Sequence, residues 1–547
     1  METIRPIVRQ ILAARGIGPD ALEEFLSSRP QLTHDPFLLT DMRAGVDLLF
    51  AEIDAGSRIV IYGDYDADGV TATTLMMRAL RHYTDNITYY IPSRLDEGYG
   101  LHNDAIDRIQ ADGGELIITV DCGAVSQEET RYAHALGVRT IVTDHHNVGD
   151  RMAEGIVIDP RREGDAYPCK GLAGVGVAFK FIQAASTVRP LPKSLLNSLL
   201  ELVAIGTVAD VMPLTDENRT LVKYGLRNMR LGCYHKSLAR LIELSGYKAD
   251  DMKARSISFG IAPRINSAGR IGDASLGVRL LLAEDPNEIE RYCTALLDLN
   301  RQRRALLDEA YGVCRDLAAA AAAEGDFLVL ETEGLHDGVL GIVAGKIKDE
   351  FERPCVIISH HDCECKGTGR SVPQVDLFSM LDRHREAFTR FGGHSAACGF
   401  TMQSAGVADL RAALNRELAD LAEGDPHFFD VPVTYDAVIS PEDVDVALID
   451  QLELLEPCGQ GNEAPEIAFT DVTIDDWRYL KDGSEMAKFR VNGFECVRFG
   501  AAHNYYDYYR NGDRVTVVGT LGKNCWNGRC VPQMRVSGVY PADEVNI

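Results

Sequence analysis

Three segments of this chain place acids directly after apolar, β-branched runs. They are VIYGDYDADG with Asp64, Asp66 and Asp68, LIITVDCG with Asp121, and IVTDHHN with Asp144, His145 and His146. Such runs read as buried parallel strands, and in open parallel sheets ligands bind beyond the carboxyl ends of the strands. The three loops are therefore expected to converge on one crevice. Carboxylates crowded there repel and raise one another's pKa unless cations neutralise them. Oxygen ligands alone suit Mg2+, whereas imidazole beside carboxylate suits Mn2+ or a similar borderline ion. The chemistry expected of such a centre is metal-assisted hydrolysis.

Each piece has a plainer reading by itself. DxDxDG opens an EF-hand calcium loop, but that loop needs Glu at its twelfth position. Counting from Asp64, this position is Leu75, inside an apolar helix. A lone Asp121 at a strand end is more often structural. Adjacent histidines on a strand point to opposite faces, so one of the pair could simply be packed. Asp210 ends the helix-like LVAIGTVADVMPL and reads first as a helix C-terminal acid. Together and in this order, the segments argue for a metal site.

The elements that must position these residues follow from periodicity. At 547 residues the chain is too long for one core. Residues 1–45 read as a helical preamble. From 46 to 215, strand-like and helix-like runs alternate, which implies βαβ units and a doubly wound parallel sheet. Residues 216–325 are mainly helical, with one long stretch from Asp285 to Ala323. A second α/β unit, 326–425, opens with the strand DFLVLE, the helix GVLGIVAGKIKDEF and the strand PCVIIS. In 430–547 the pattern becomes short alternating strands: EIAFTDVTI, MAKFRV, FECVRFG, RVTVVGTL and RCVPQMRV. Five such runs bounded by turns suggest an OB-fold-like β-barrel. The fold class is α/β with an appended barrel.

A net charge of −26 counts, on its face, against a polyanionic partner. Charge is local, however. Between Trp477 and Tyr540 ten Lys or Arg stand against five Asp or Glu, among eleven aromatics that include both tryptophans. Basic residues can follow a nucleic-acid backbone there, and Trp477, Tyr505, Tyr506, Tyr508 and Trp526 could stack on bases. Many of these aromatics must instead fill the barrel. The 13 cysteines include no CxxC pair, so free, mostly buried thiols in a reducing compartment are expected. No apolar run is long enough to span a membrane, and the N-terminus lacks the features of a secretory signal. The expected location is the cytoplasm.

DYDADG, IPSRLDEGYGLH, VDCG, TDHHN and GTVADVMPL, in this order, resemble the motifs of the DHH phosphoesterase superfamily. APRINSAGRI, HDGVLGIVAGKI, GTGRSV and FGGHSAACGF resemble the DHHA1 domain that closes over the metal cleft in that superfamily. The junction LEPCGQGNEAPEIAF and the β-rich tail resemble its single-stranded-DNA-specific 5′→3′ exonuclease branch. The resemblance implies two divalent cations, Mn2+ or Mg2+. Asp66 with Asp64 would hold one, Asp68, His145 and Asp210 the other, and Asp121 would bridge them. His146 would face the scissile phosphate, with Asp144 orienting the histidines. Arg94, Arg270, Arg370, Ser371, Gly393 and His394 would cradle a phosphate. Taken singly, each of these arginines reads equally as half of a surface ion pair. The implied partners are single-stranded DNA, a helicase and a single-strand-binding protein, and the implied state is a monomer.

Two rival functions remain. A DHH-family phosphodiesterase acting on short RNA or nucleotide substrates would need only the two α/β units, or would add membrane segments. A non-catalytic scaffold would show substitutions at the ligand positions, and here every motif is complete.

Overall fold

The computed structural model describes residues 4–94, 96–149, 151–361, 363–430, 432–479, 486–499, 509–526 and 528–542. The chain divides into two compact units: residues 1–90, 100–262 and 432–547 form the first, and 91–99 with 263–431 form the second.

In the first unit, five parallel strands run β1 (Ile59–Gly63), β2 (Ile87–Tyr90), β3 (Leu116–Val120), β4 (Arg139–Thr143) and β5 (Ile156–Ile158). Their order is β2-β1-β3-β4-β5, with Val60 beside both Thr88 and Ile117 and with Ile118 beside Ile141. The chain winds one way from β1 to β2 and the other way from β3 onward. A ligand crevice therefore opens where β1 and β3 diverge. β1 and β3 are buried along their whole length, which is why their sequences are unbroken apolar runs. The helix Ala67–Leu80 after β1 is almost wholly buried against the helices Gly174–Val188 and Lys193–Ala209. Its inward threonines cap their own turns, as when Thr71 Oγ1 donates to the Ala67 carbonyl at 2.8 Å.

The same unit holds β11 (Ala437–Val438), β12 (Glu466–Tyr479), β13 (Met486–Val491), β14 (Phe494–Phe499), β15 (Arg514–Trp526) and β16 (Arg529–Pro541). Pairing runs β12-β13-β14-β16-β15 and returns from β15 to β12. Inside this circuit Phe469, Phe489, Val491, Val517 and Met534 share one core with Val8, Ile11 and Leu12 of the helix Pro6–Ala14. The N-terminal helix is thus part of the tail's core, with Arg15 paired to Asp436 at 2.9 Å. At the β15–β16 hairpin, Cys525 and Cys530 face each other and are joined as a disulfide. The expectation of free thiols fails at this pair, because the register places the two side chains directly opposite, a relation that spacing alone does not reveal.

The second unit is a five-stranded sheet of β6 (Leu328–Glu333), β7 (Cys355–His361), β8 (Glu364–Arg370), β9 (Phe388–His394) and β10 (Ala397–Gln403), in the order β6-β7-β8-β10-β9. β6 and β7 are parallel, joined through the helix Asp337–Phe351, and the rest is antiparallel. A 36-residue helix, Pro286–Ala321, precedes it. Its N-cap Asp285 accepts from the amides of Asn287 and Glu288.

Candidate metal centre

Every acid of the crevice is set by a helix end or a strand end. Asp66 caps the helix Ala67–Leu80, its Oδ1 accepting from Asp68 N at 2.8 Å and Gly69 N at 3.1 Å. Asp68 accepts from Gly174 N at 2.7 Å and Val175 N at 2.9 Å, at the positive end of the helix Gly174–Val188. Asp121 follows β3 with φ +62°, a left-handed conformation that turns the chain immediately after the strand. Asp210 caps the C-terminus of the helix Lys193–Ala209, where the helix dipole disfavours an anion.

Close packing brings these carboxylates together. A Cβ on Gly174 would lie 2.4 Å from Asp121 Oδ1, and one on Gly206 would lie 2.4 Å from Asp68 Oδ1. Only glycine allows those approaches. His145 Nε2 lies 3.1 Å from Asp121 Oδ1, 3.5 Å from Asp210 Oδ2 and 3.9 Å from Asp68 Oδ2. It makes a hydrogen bond to none of the three. Three overlapping groups offer donor atoms within 4.8 Å of one another: Asp64 with Asp66 and Asp121, Asp68 with His145 and Asp210, and Asp121 with Asp144, His145 and His146.

The electrostatics match the geometry. Burial, and then the neighbouring carboxylates, push Asp68 and Asp121 well above the usual carboxylate range. Burial followed by Asp66 carries Asp210 to about 7. Burial and then His146 drive His145 down to about 3, leaving a neutral imidazole. Oxygen donors that repel one another, beside a neutral imidazole, are the donor set divalent cations bind.

Asp144 is buried and fully engaged. Its Oδ2 accepts from Ala124 N at 2.8 Å, and its Oδ1 accepts from His145 N at 2.7 Å. The same Oδ1 lies 2.7 Å from His146 Nδ1. Against the penalty of burial, this pairing holds Asp144 at about 2 and His146 at about 9.

Two residues escaped sequence reasoning. Asp159 ends β5 as Asp64 and Asp121 end β1 and β3, and it is fully buried. Burial and then Asp144 raise it to about 7. Arg161, two residues on, bears electrostatically on His145, Asp210 and Asp159. The strand-end rule applied to GIVIDP would have found the first.

The six expected phosphate contacts all fall in the second unit. Arg370, Ala397 and His394 stand in one row across β8, β10 and β9. Burial, and then Arg94, lower the Arg370 pKa, so two guanidinium groups press on each other here. Arg270 Nη1 donates to the Gly338 carbonyl at 3.2 Å. Gly393 has φ +149°, and a Cβ there would lie 2.3 Å from the Ala397 carbonyl. His394 is exposed, whereas Ser371 is buried with its hydroxyl donating to the Val375 carbonyl at 2.7 Å. Of the tail aromatics, Trp477 stacks on Phe489 at 4.5 Å and packs against the core. Trp526 is 79% exposed. Tyr505, Tyr506 and Tyr508 lie outside the described residues.

Residues 58–207 match the model of the DHH family N-terminal domain, 324–420 that of the DHHA1 domain and 435–538 that of the RecJ OB domain. The chain is 34% identical to the single-stranded-DNA-specific exonuclease RecJ of Bacillus subtilis, over 97% of this chain and 68% of that one. It is 33% identical to the Escherichia coli RecJ, over 83% and 82% of the respective chains. A crystal structure of Thermus thermophilus RecJ in complex with Mn2+ superposes with a TM-score of 0.83 at 30% identity, covering 98% of this chain and 76% of that one.

Proposed function

Because this chain belongs to the RecJ family, we propose that it is an exonuclease specific for single-stranded DNA that hydrolyses phosphodiester bonds with divalent cations. The observation that carries this reading is the convergence of Asp64, Asp66, Asp68, Asp121, His145 and Asp210 where β1 and β3 diverge.

In this reading Asp64, Asp66 and Asp121 would hold one cation, and Asp68, His145 and Asp210, sharing Asp121, the other. Mn2+ and Mg2+ both suit the donors. Bound there, the pair would supply an activated water and charge neutralisation for in-line displacement. The protein's own groups do the rest. Asp144 accepts from the His145 backbone N–H and bonds the His146 ring, and His146, kept protonated by Asp144, would hold its charge toward the phosphate. Asp68 is oriented by two backbone amides before any cation binds.

Arg94, Arg270, Arg370, Ser371, Gly393 and His394 would grip a terminal phosphate, so that the enzyme counts nucleotides from a chain end. The likeness to the exonuclease branch supports 5′→3′ polarity and release of mononucleotides in DNA repair and recombination. The same reading assigns catalysis to residues 46–215, substrate grip to 326–425 and strand binding to 430–547. It makes the protein a cytoplasmic monomer working with a helicase and a single-strand-binding protein. No described helix is long and apolar enough to cross a membrane.

The test is digestion of end-labelled single-stranded DNA with Mn2+ or Mg2+, comparing 5′ and 3′ labels, a circular single strand and a blunt duplex. Early release of the 5′ label from the linear strand alone is expected. Rapid cutting of the circle would overturn the exonuclease reading, and equally fast duplex digestion would overturn strand specificity.

A further inference from the structure

No carboxylate among the described residues pairs with the guanidinium of Arg161, which lies beside the acidic cluster. Among the described residues its side chain contacts only neutral acceptors, all at long range. Nε lies 3.4 Å from the Lys170 carbonyl, Nη1 3.4 Å from Asn147 Oδ1 and Nη2 3.7 Å from Met212 Sδ. Asn147 follows His146 and Met212 comes two residues after Asp210, so the guanidinium spans two loops that carry candidate site residues.

In a chain of net charge −26, an arginine within electrostatic range of Asp210 and Asp159 is a natural ion-pair donor. Asp159 engages it differently, accepting the Arg161 backbone N–H at 2.7 Å. That carboxylate therefore fixes the Arg161 main chain and leaves the guanidinium on acceptors that position it without neutralising it. Long contacts to neutral atoms cost little to exchange for an anion. The rigid fork of arginine pairs bidentately with phosphate oxygens.

Resting on the hydrolytic reading above, we propose that Arg161 is a further substrate-contacting residue, pairing with non-bridging oxygens of a phosphodiester held at the cluster. Asp159 is its positioning residue. The plainer role, a staple between the Asn147 and Met212 loops, would need the contacts and not the charge.

The experiment uses the full chain with R161Q and R161K. Thermal melts and Mn2+ titration without DNA come first. R161Q should fold and bind Mn2+ at least as tightly as wild type, since it loses a repelling cation. Its single-turnover cleavage of a 5′-phosphorylated single strand should fall roughly a hundredfold, with R161K between the two. Binding in EDTA is then measured with one neutral methylphosphonate placed in turn at each of the first three linkages. Wild type should lose affinity at one linkage where R161Q shows no further loss. Wild-type cleavage by R161Q, or equal methylphosphonate penalties in both proteins, would overturn the proposal. If R161Q fails to fold, R161K is read in the same assays, and wild-type behaviour in all of them overturns it. If wild type itself does not cut, the hydrolytic reading falls, while the binding comparison still judges Arg161.

Discussion

His145 Nε2 stands 3.1 Å from Asp121 Oδ1 with both side chains buried, which ties the loop after β4 to the loop after β3 at one point. That contact links the donor group of Asp64 and Asp66 with that of Asp68 and Asp210, because Asp121 belongs to the first and His145 to the second while the two also share a group of their own. Loss of Asp121, shared in the proposed arrangement, should disable both cation positions.

D121N is expected to lower kcat/KM on single-stranded DNA at least roughly a thousandfold, the loss of several kcal/mol of transition-state stabilisation. The fold should survive, because removing a buried charge relieves repulsion from Asp64, Asp66, Asp68 and Asp210. Paired melts in EDTA and in Mn2+ check this. The variant should melt no lower than wild type in EDTA and should lose the stabilisation that Mn2+ gives. A lower melting point in EDTA would make Asp121 a structural residue.

The raised carboxyls also set a pH dependence whose sign is fixed. Asp210 titrates near 7 in the folded, metal-free chain, against an ordinary value of 3.8. Across that window the folded state binds more protons than the unfolded one, so this group's contribution to stability falls as pH rises from about 4 to 7. Cations bind the deprotonated carboxylates, so their stabilising effect should grow over the same range. Melting temperatures from pH 5 to pH 8 should decline in EDTA and decline less, or rise, in saturating Mn2+. D210N should flatten the EDTA curve. Parallel curves with and without metal would contradict the assignment.

H146A should reduce kcat roughly a hundredfold while leaving Mn2+ stoichiometry unchanged, since His146 Nδ1 is engaged by Asp144 and His146 is not among the proposed cation ligands. D144N should cost more, because the same carboxylate also accepts from the amides of Ala124 and His145. Mn2+ titration alongside single-turnover kinetics separates the two. Loss of a bound cation in H146A would move His146 into the ligand set.

Strand and helix runs around the crevice were legible because burial on both faces leaves an unbroken β-branched run that ends in an acid, as in LIITVDCG. The second unit was harder. β8 carries Gly367 and Gly369, which weaken any strand pattern, and Gly367 is required because a Cβ there would lie 2.1 Å from the Phe400 ring. That demand comes from the neighbouring strand β10 and leaves no local trace. The docking of Val8, Ile11 and Leu12 into the core of β12–β16 is likewise a contact between chain ends, invisible to periodicity.

If the tail binds single strands as proposed, its basic and aromatic surface should carry the contact. Deleting residues from 432 onward would uncover Val8, Ile11 and Leu12, so truncation confounds binding with folding. Point substitutions do not. Arg535 lies over the ring of Phe499 at 5.2 Å, and Arg255 lies over Phe259 at 4.7 Å. The two rings are 46% and 62% exposed. Burial, and then Arg255 and Arg498, lower the Arg535 pKa, so three arginines crowd one surface of an acidic chain. Exposed rings beside arginines suit bases stacked along a phosphate backbone. R255A and R535A should each weaken binding of long single strands severalfold and reduce the salt dependence by about 0.7 per charge lost. F259A should weaken binding without changing that slope, because a stacking contact releases no counterions. Cleavage of oligonucleotides too short to reach this surface should be unaffected. Fluorescence anisotropy across a length and salt series gives all three readouts. An equal loss on short and long strands would mean these residues support the fold and do not hold DNA.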